Sequence, residues 1–243
     1  MRWLICLFFL PLMGFSQLDQ KLVQTLIDKK EFTQAETLLL PYVKGFEDLE
    51  AVELLGDVYG HQKEWDKAIA EYEKLVEIQP NVANYQYKYG GALAMKALSV
   101  NKIRALTIIG EVEEAFLNAA SLDPSHIDAR WALVELYVKL PIILGGGLEN
   151  AMQYANQLED LSLVDGYLAK GFVHFNGEDF SLAETYYKKA VVVGGSLTCY
   201  KKLIEFYMSQ SELEKALKNL KEAYAKYPSE ALLSQITEIE QKM

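Results

Sequence analysis

Residues 49–80 constrain the fold most strongly, because they contain two amphipathic helical patterns in direct succession. The first pattern places its large side chains on one helical stripe, which consists of Leu49, Val52, Leu55 and Tyr59. The second does the same with Trp65, Ala68, Ile69, Tyr72 and Val76. A short polar break at 60–64 predicts that the two helices are antiparallel neighbours, and Pro80 ends the second one. One such hairpin cannot bury both of its faces, so it requires further hairpins to stack on.

Small residues mark where the two helices of a hairpin face each other. A glycine inside a helix costs about 1 kcal/mol relative to alanine, so Gly56 opposite Ala68 predicts a close approach of the two backbones. The same interval of twelve residues separates Val23 from Ala35 and Gly171 from Ala183. Hairpins of similar length therefore repeat along most of the chain.

Two hairpins depart from this regular spacing. In the third, Gly90 and Val112 are twenty-two residues apart, and we expect the ten extra residues to lengthen both helices by more than a turn. Its far end carries four apolar residues that we expect to pack on each other, with a docking surface as the alternative: Leu98, Ile103, Leu106 and Ile109. In the fourth, the glycines at 145–147 predict a turn with positive φ angles, and Ile142–Leu144 are expected to fold back against a neighbouring hairpin.

The order and spacing of Val52, Gly56, Tyr59, Ala68 and Pro80 closely resemble the tetratricopeptide repeat, a helix–turn–helix unit of about 34 residues. With some drift, the resemblance extends over residues 18–228. It implies an all-α fold, namely an α-α superhelical solenoid of about six hairpins plus a C-terminal capping helix over 229–243. Residues 17–243 would form this solenoid as one domain.

The resemblance also implies a function. In this family the first helix of each hairpin lines a concave groove that usually binds a peptide or protein. Carried onto this sequence, the expected partner-binding residues are Glu53, Asp57, Tyr87, Trp131, Glu135, Leu168, Phe172, Phe175 and Glu205. We expect Trp131, Glu135 and Phe172 to be partly exposed together. Acidic groups beside aromatic rings favour a partner with basic and large apolar side chains.

Residues 1–16 predict a secretory signal peptide. Arg2 precedes a thirteen-residue apolar run, and Gly14 and Ser16 are small residues before a cut that would leave Gln17 first. The run is shorter than the roughly 17 to 25 residues that span a bilayer, so no stable membrane span is expected after cleavage; a retained anchor is the alternative. The predicted location is the periplasm or cell envelope of a bacterium.

Composition and motifs exclude several other functions. With 34 acidic and 24 basic residues the net charge is −10, which disfavours binding to a phosphate backbone, so we expect no nucleic-acid partner. His61, His126 and His174 are isolated, without metal-ligand spacing, and no catalytic or nucleotide-binding motif occurs. We therefore predict a non-catalytic scaffold or adaptor without metal or cofactor. The alternative is a structural or oligomerising subunit of a cell-envelope assembly, with homo-oligomers formed through the convex face or the extended third hairpin.

Overall fold

The computed structural model describes residues 18–44 and 48–243. Within these ranges the chain forms fourteen α-helices and one 3-10 turn, and the described part has no strand. The first four helices are α1 (Gln20–Asp28), α2 (Phe32–Leu39), α3 (Leu49–His61) and α4 (Trp65–Ile78). The predicted all-α fold class is confirmed, whereas the predicted signal peptide lies outside the described residues.

The chain divides into two compact units between Leu75 and Val76, which we call unit 1 and unit 2. The helices that follow are α5 (Ala83–Ser99), α6 (Lys102–Leu106), α7 (Ile109–Leu122), α8 (Ile127–Lys139), α9 (Leu148–Leu161), α10 (Leu163–Asn176), α11 (Phe180–Gly194), α12 (Leu197–Ser209), α13 (Leu213–Lys226) and α14 (Glu230–Lys242). Hairpins one and two are α1–α2 and α3–α4. Hairpins three to six are α5–α7, α8–α9, α10–α11 and α12–α13. A single domain over 17–243 stays a prediction.

Four of the six hairpins turn in the same way. Lys30, Lys63, Glu178 and Ser211 occupy the same position in hairpins one, two, five and six, and each has φ near +60°. The N–H of the next residue then donates to a carbonyl in the last turn of the first helix, as Glu64 does to Tyr59 at 2.9 Å. This closure satisfies the ends of the first helix and directs the chain into the second.

Gly56 and Gly171 lie at close helix contacts, but the atoms nearest to each belong to a tyrosine ring of the facing helix and not, as expected, to its backbone. A Cβ atom added at Gly56 would lie 2.5 Å from the Tyr72 ring, and one added at Gly171 would lie 2.7 Å from the Tyr187 ring. Both tyrosines are buried. Glycine is therefore required at these two positions by the ring of the facing helix.

Successive hairpins are joined by a recurring hydrogen bond that sequence reasoning missed. The hydroxyl groups of Tyr59, Tyr137 and Tyr207 donate to Glu36, Glu113 and Glu184 at 3.0, 2.7 and 2.8 Å. In each pair the tyrosine is on the first helix of a hairpin and the glutamate is on the second helix of the preceding one. Burial, followed by the hydrogen bond, raises the pKa of each tyrosine above its usual range. The sequence pattern that could have predicted these bonds is a tyrosine that follows a glutamate by 23 or 24 residues.

The third hairpin differs from the expectation in two respects. α5 is long, with 17 residues against 13 in α3, but α7 has only 14, and the inserted residues form the separate helix α6 at the tip. The predicted lengthening of both helices was therefore wrong for the second. The cause is Asn101, whose side chain accepts from the Arg104 N–H at 3.0 Å and starts a new helix across the tip.

The predicted packing at this tip was also wrong. Leu98, Ile103 and Leu106 are 68%, 80% and 52% exposed, and no residue of α6 is buried. In the fourth hairpin, Gly145 and Gly147 have the predicted positive φ angles of 83° and 129°. Ile142 and Ile143, however, are 84% and 91% exposed rather than folded back, because backbone hydrogen bonds, such as that from the Gly147 N–H to the Tyr137 carbonyl at 2.8 Å, hold the loop without their side chains.

The last helix behaves as predicted for a cap. α14 contacts α13 and buries Leu232, Ile236 and Ile239. Its remaining positions are exposed and largely polar. A terminal helix with one apolar face completes the core without requiring another repeat.

Candidate partner-binding surface

The first helices of hairpins three to six are neighbours in unit 2. α8 contacts both α5 and α10, and α10 contacts α12. We name the outward faces of α5, α8, α10 and α12 the first-helix surface. The helices start at defined points: His126 Nδ1 accepts the Ala129 N–H at 3.2 Å, and the hydroxyl groups of Ser162 and Ser196 each accept an N–H at 3.3 Å. These caps set which side chains face outward on α8, α10 and α12.

Three of the predicted residues come together where α5 meets α8. Tyr87 is partly buried, with its ring 5.1 Å from that of His126. Burial raises the pKa of Tyr87, and the carboxylates of Asp128 and Glu135 raise it further, so both lie within electrostatic range of the phenol. On α8, Trp131 is three residues after Asp128 and four before Glu135, so these three residues share one face of the helix. This end of the first-helix surface therefore combines two aromatic rings with two exposed carboxylates.

Trp131 also has a structural role that the sequence did not reveal. Its indole N–H donates to Asp165 of α10 at 3.0 Å, and Asp165 accepts a second hydrogen bond from the Ser162 hydroxyl at 2.6 Å. The Trp131 ring is partly buried against the core. It thus connects α8 to α10 and offers a partner only the part of its ring that is not buried.

The three predicted partner-binding residues of α10 differ in how exposed they are. Phe172 is partly exposed, as expected. Phe175 packs on the core, with its ring centroid 6.0 Å from those of Phe180 and Phe206. Leu168 requires a correction, because it is only 7% exposed and belongs to the core. α10 contacts four helices, so more than one of its faces is covered and the face opposite its apolar stripe is exposed only in part.

Two of the acidic residues of the surface, Glu135 and Glu205, differ little in setting. Glu135 pairs with Lys139 at 3.1 Å, and Glu205 pairs with Lys202 at 3.0 Å. All four side chains are more than half exposed. Such exposed pairs contribute little to stability, so either carboxylate can exchange its lysine for another cation at small cost.

Glu53 and Asp57 lie in unit 1 and form a group with Tyr72. The Tyr72 hydroxyl donates to Asp57 at 2.6 Å. Burial is the main cause of the raised pKa of Tyr72, and the carboxylates of Asp57 and Glu53 add to it. Asp57 therefore helps to join α3 to α4, a contact that the helical period alone did not indicate.

The part of the chain that the structure describes contains neither a metal-binding cluster nor a membrane-spanning helix. No cluster of three or more His, Cys, Asp or Glu side chains within 18–44 and 48–243 is arranged to hold a metal ion. Among the described helices, none combines the length and the apolar character needed to cross a membrane.

Comparison with known proteins agrees with the fold. Residues 21–83 match the family model of the tetratricopeptide repeat. No curated protein matches the sequence. Among solved structures, PilW, a type IV pilus biogenesis factor, has a TM-score of 0.63 at 16% identity, covering 89% of this chain and 96% of that chain.

Two further solved structures resemble the chain at the same level of identity. Pseudomonas aeruginosa PilF has a TM-score of 0.59 at 16% identity, covering 92% of this chain and 95% of that chain. TTC0263, a thermophilic tetratricopeptide repeat protein of Thermus thermophilus, has a TM-score of 0.53 at 16% identity, covering 91% of this chain and 96% of that chain. Residues 21–83 therefore match the tetratricopeptide repeat, and the described chain has the same helical-hairpin fold as solved tetratricopeptide repeat proteins.

Proposed function

We propose that this protein is a non-catalytic scaffold that binds a peptide or protein segment on the first-helix surface of unit 2. The observation that carries the proposal is the grouping of Tyr87 and Trp131 with the carboxylates of Asp128 and Glu135. Partly exposed aromatic rings provide large apolar contact area at low entropic cost, and they are enriched among the residues that dominate binding energy.

The charges of this surface select the kind of partner. Asp128, Glu135 and Glu205 are exposed on α8 and α12, in a chain whose net charge is −10. Carboxylates at the rim of an aromatic surface attract Lys and Arg and repel acidic segments, chiefly through the rate of association. The partner is therefore a segment with alternating basic and large apolar side chains.

The comparisons support a place for this scaffold in the bacterial cell envelope. Two of the similar folds are PilF and PilW, the latter a type IV pilus biogenesis factor. Residues 1–16 have the pattern of a secretory signal, and export would place the mature chain in the periplasm or envelope. Intact mass of the protein isolated from envelopes tests this: a chain that begins at Gln17 is expected, and one that retains Arg2 would mean an anchor.

Peptide titration tests the binding proposal. Fluorescence anisotropy is measured for a labelled peptide of alternating lysine and phenylalanine, and for one with glutamate in place of lysine. We expect the basic peptide to bind and the acidic one not to bind. Phe172→Ala should weaken binding at least about tenfold. Glu135→Lys should weaken it less, and mainly at low salt.

The chain offers a matched control for the charge reversal. Glu238 is exposed and pairs with the lysine four residues later at 2.6 Å, the same arrangement that Glu135 makes with Lys139 at 3.1 Å. Glu238→Lys changes the net charge equally on α14, away from the first-helix surface. If it weakens binding as much as Glu135→Lys, only overall charge matters and the proposed surface is not the site.

A second candidate function rests on a different observation. The tip of hairpin three leaves Leu98 and Ile103 exposed, which favours a structural or oligomerising subunit of an envelope assembly. This function predicts a mass that rises with protein concentration in analytical ultracentrifugation. The peptide-binding scaffold predicts no such change.

A further inference from the structure

Two loop tips in unit 2 leave large apolar side chains in solvent. Leu98, Ile103 and Leu106 at the tip of hairpin three are 68%, 80% and 52% exposed. Ile142 and Ile143 in the turn of hairpin four are 84% and 91% exposed. Isolated exposed apolar residues are ordinary, but five on two adjacent tips indicate a contact surface.

The two tips lie on the same edge of unit 2. α5 and α8 are in contact, and the Tyr87 ring near the start of α5 lies 5.1 Å from the His126 ring at the start of α8. Both helices therefore run in the same direction. From that ring pair, α5 continues for twelve residues to Ser99 and α8 for thirteen to Lys139. At about 1.5 Å per residue the two helices end at nearly the same level.

This edge is also basic, in a chain that is otherwise acidic. Residues 91–110, which lead to and form the tip of hairpin three, contain no Asp or Glu and three basic residues, of which Lys102 and Arg104 lie on the exposed helix α6. In residues 136–148 the one charged residue is Lys139, which pairs with Glu135. By contrast, the turns of hairpins five and six contain Glu178, Asp179 and Glu212. The basic and apolar character is thus concentrated on hairpins three and four.

We propose that this apolar–basic edge, formed by Leu98, Ile103, Leu106, Ile142 and Ile143 with Lys102 and Arg104, attaches the protein to the surface of an anionic lipid bilayer. Apolar side chains on protruding tips enter the boundary between headgroups and acyl chains, and lysine and arginine beside them contact the anionic headgroups. The edge is separate from the first-helix surface, so this attachment does not depend on the proposed peptide binding.

The charge distribution favours lipid over a second copy of the chain. In a two-fold symmetric dimer the same patch lies on both sides, so Lys102 and Arg104 would face their own copies. The acidic groups that border the edge are already engaged or lie inside a helix turn: Glu135 pairs with Lys139, Glu111 accepts a hydrogen bond from Tyr89, and Glu149 is in the first turn of α9. A bilayer accepts protruding side chains without a complementary pocket, which a protein partner would have to supply.

Vesicle flotation tests the proposal. The protein from Gln17 onward is mixed with vesicles of phosphatidylcholine alone, or of phosphatidylcholine with a minority of phosphatidylglycerol. We expect partition onto the anionic vesicles only. The double change Ile142→Ser with Ile143→Ser should reduce it at least about tenfold. Lys102→Glu with Arg104→Glu should abolish the preference for anionic vesicles.

Val192→Ser is the matched control. Val192 is also 84% exposed, but it lies in the last turn of α11 and so at the opposite edge from the turn that begins that helix. Absence of partition, or equal loss with the control, would overturn the proposal. So would a concentration-dependent mass in the absence of lipid that the isoleucine changes remove, because the edge would then bind a second copy. All altered residues are exposed, and unchanged melting temperatures verify that each variant is folded.

Discussion

Gly90 and Gly91 are adjacent in α5, but only Gly90 faces the second helix of hairpin three. The same substitution to alanine at each position therefore tests this helix contact. A Cβ atom added at Gly90 would lie 2.9 Å from Phe116 Cδ1 and 3.0 Å from the Cβ of Ala115. One added at Gly91 would meet no atom within 4 Å apart from the backbone of its own helix and its two neighbours in the chain. Phe116 is buried, with its ring 6.0 Å from that of Tyr87, so it has little room to move away.

The expected free energies follow from two contributions. Alanine in place of glycine favours the helix by about 1 kcal/mol at either position. Overpacking at Gly90 costs about 1 to 3 kcal/mol and has no counterpart at Gly91. Gly91→Ala should therefore stabilise the protein by about 1 kcal/mol, and Gly90→Ala should lie between neutral and about 2 kcal/mol destabilised.

Urea unfolding followed by circular dichroism measures both variants against the parent chain. Since both substitutions change the unfolded chain equally, the difference between them isolates the helix contact, and we expect about 1 to 3 kcal/mol. Because helical repeats need not unfold in one step, the slopes must agree before midpoints are compared. If the two variants shift the midpoint equally, the closest contact of α5 and α7 is not at Gly90 and the pairing of these helices is misassigned.

Three further predictions concern stability. Arg130 is buried and donates to the carbonyl groups of Ala120, Asp123 and His126 at 3.4, 3.4 and 3.0 Å, so Arg130→Met should cost at least about 2 kcal/mol in urea unfolding because these buried hydrogen bonds are lost; a smaller loss would mean that water replaces the side chain. Ser211 has φ of +59°, so Ser211→Val should lower the melting temperature more than Ser211→Gly, and equal effects would show that the turn relaxes. The pKa of Glu184 is lowered from 4.5 to about 2, first by the hydrogen bond from Lys188. Its contribution is therefore complete above pH 4.5 and is lost as the pH falls toward 2, and Glu184→Gln should flatten unfolding free energy against pH in that window.

The repeating hairpin could be predicted because it depends on interactions close in sequence. The helical period identifies one apolar stripe per helix, and small residues such as Gly56 and Gly171 identify where two stripes meet. The ends of helices also depend on residues close in sequence. α11 ends at Gly194, next to Gly195 in the left-handed conformation, and α4 ends two residues before Pro80. Each of these signals acts within one hairpin, so it survives without knowledge of the neighbours.

What only the tertiary structure decided concerns residues with neighbours in other hairpins. The period places Leu168 opposite an apolar stripe, yet α10 contacts four helices and buries it. The sequence predicts Trp131 as an aromatic residue available to a partner, whereas the structure shows that its indole N–H is bonded to Asp165 of a neighbouring hairpin. Conversely, Ile103 and Ile143 read as residues that will find a covering partner, and the fold leaves both exposed. Side-chain period reports which face of a helix is apolar, but whether a face or loop is covered depends on how many elements surround it, which is set by contacts distant in sequence.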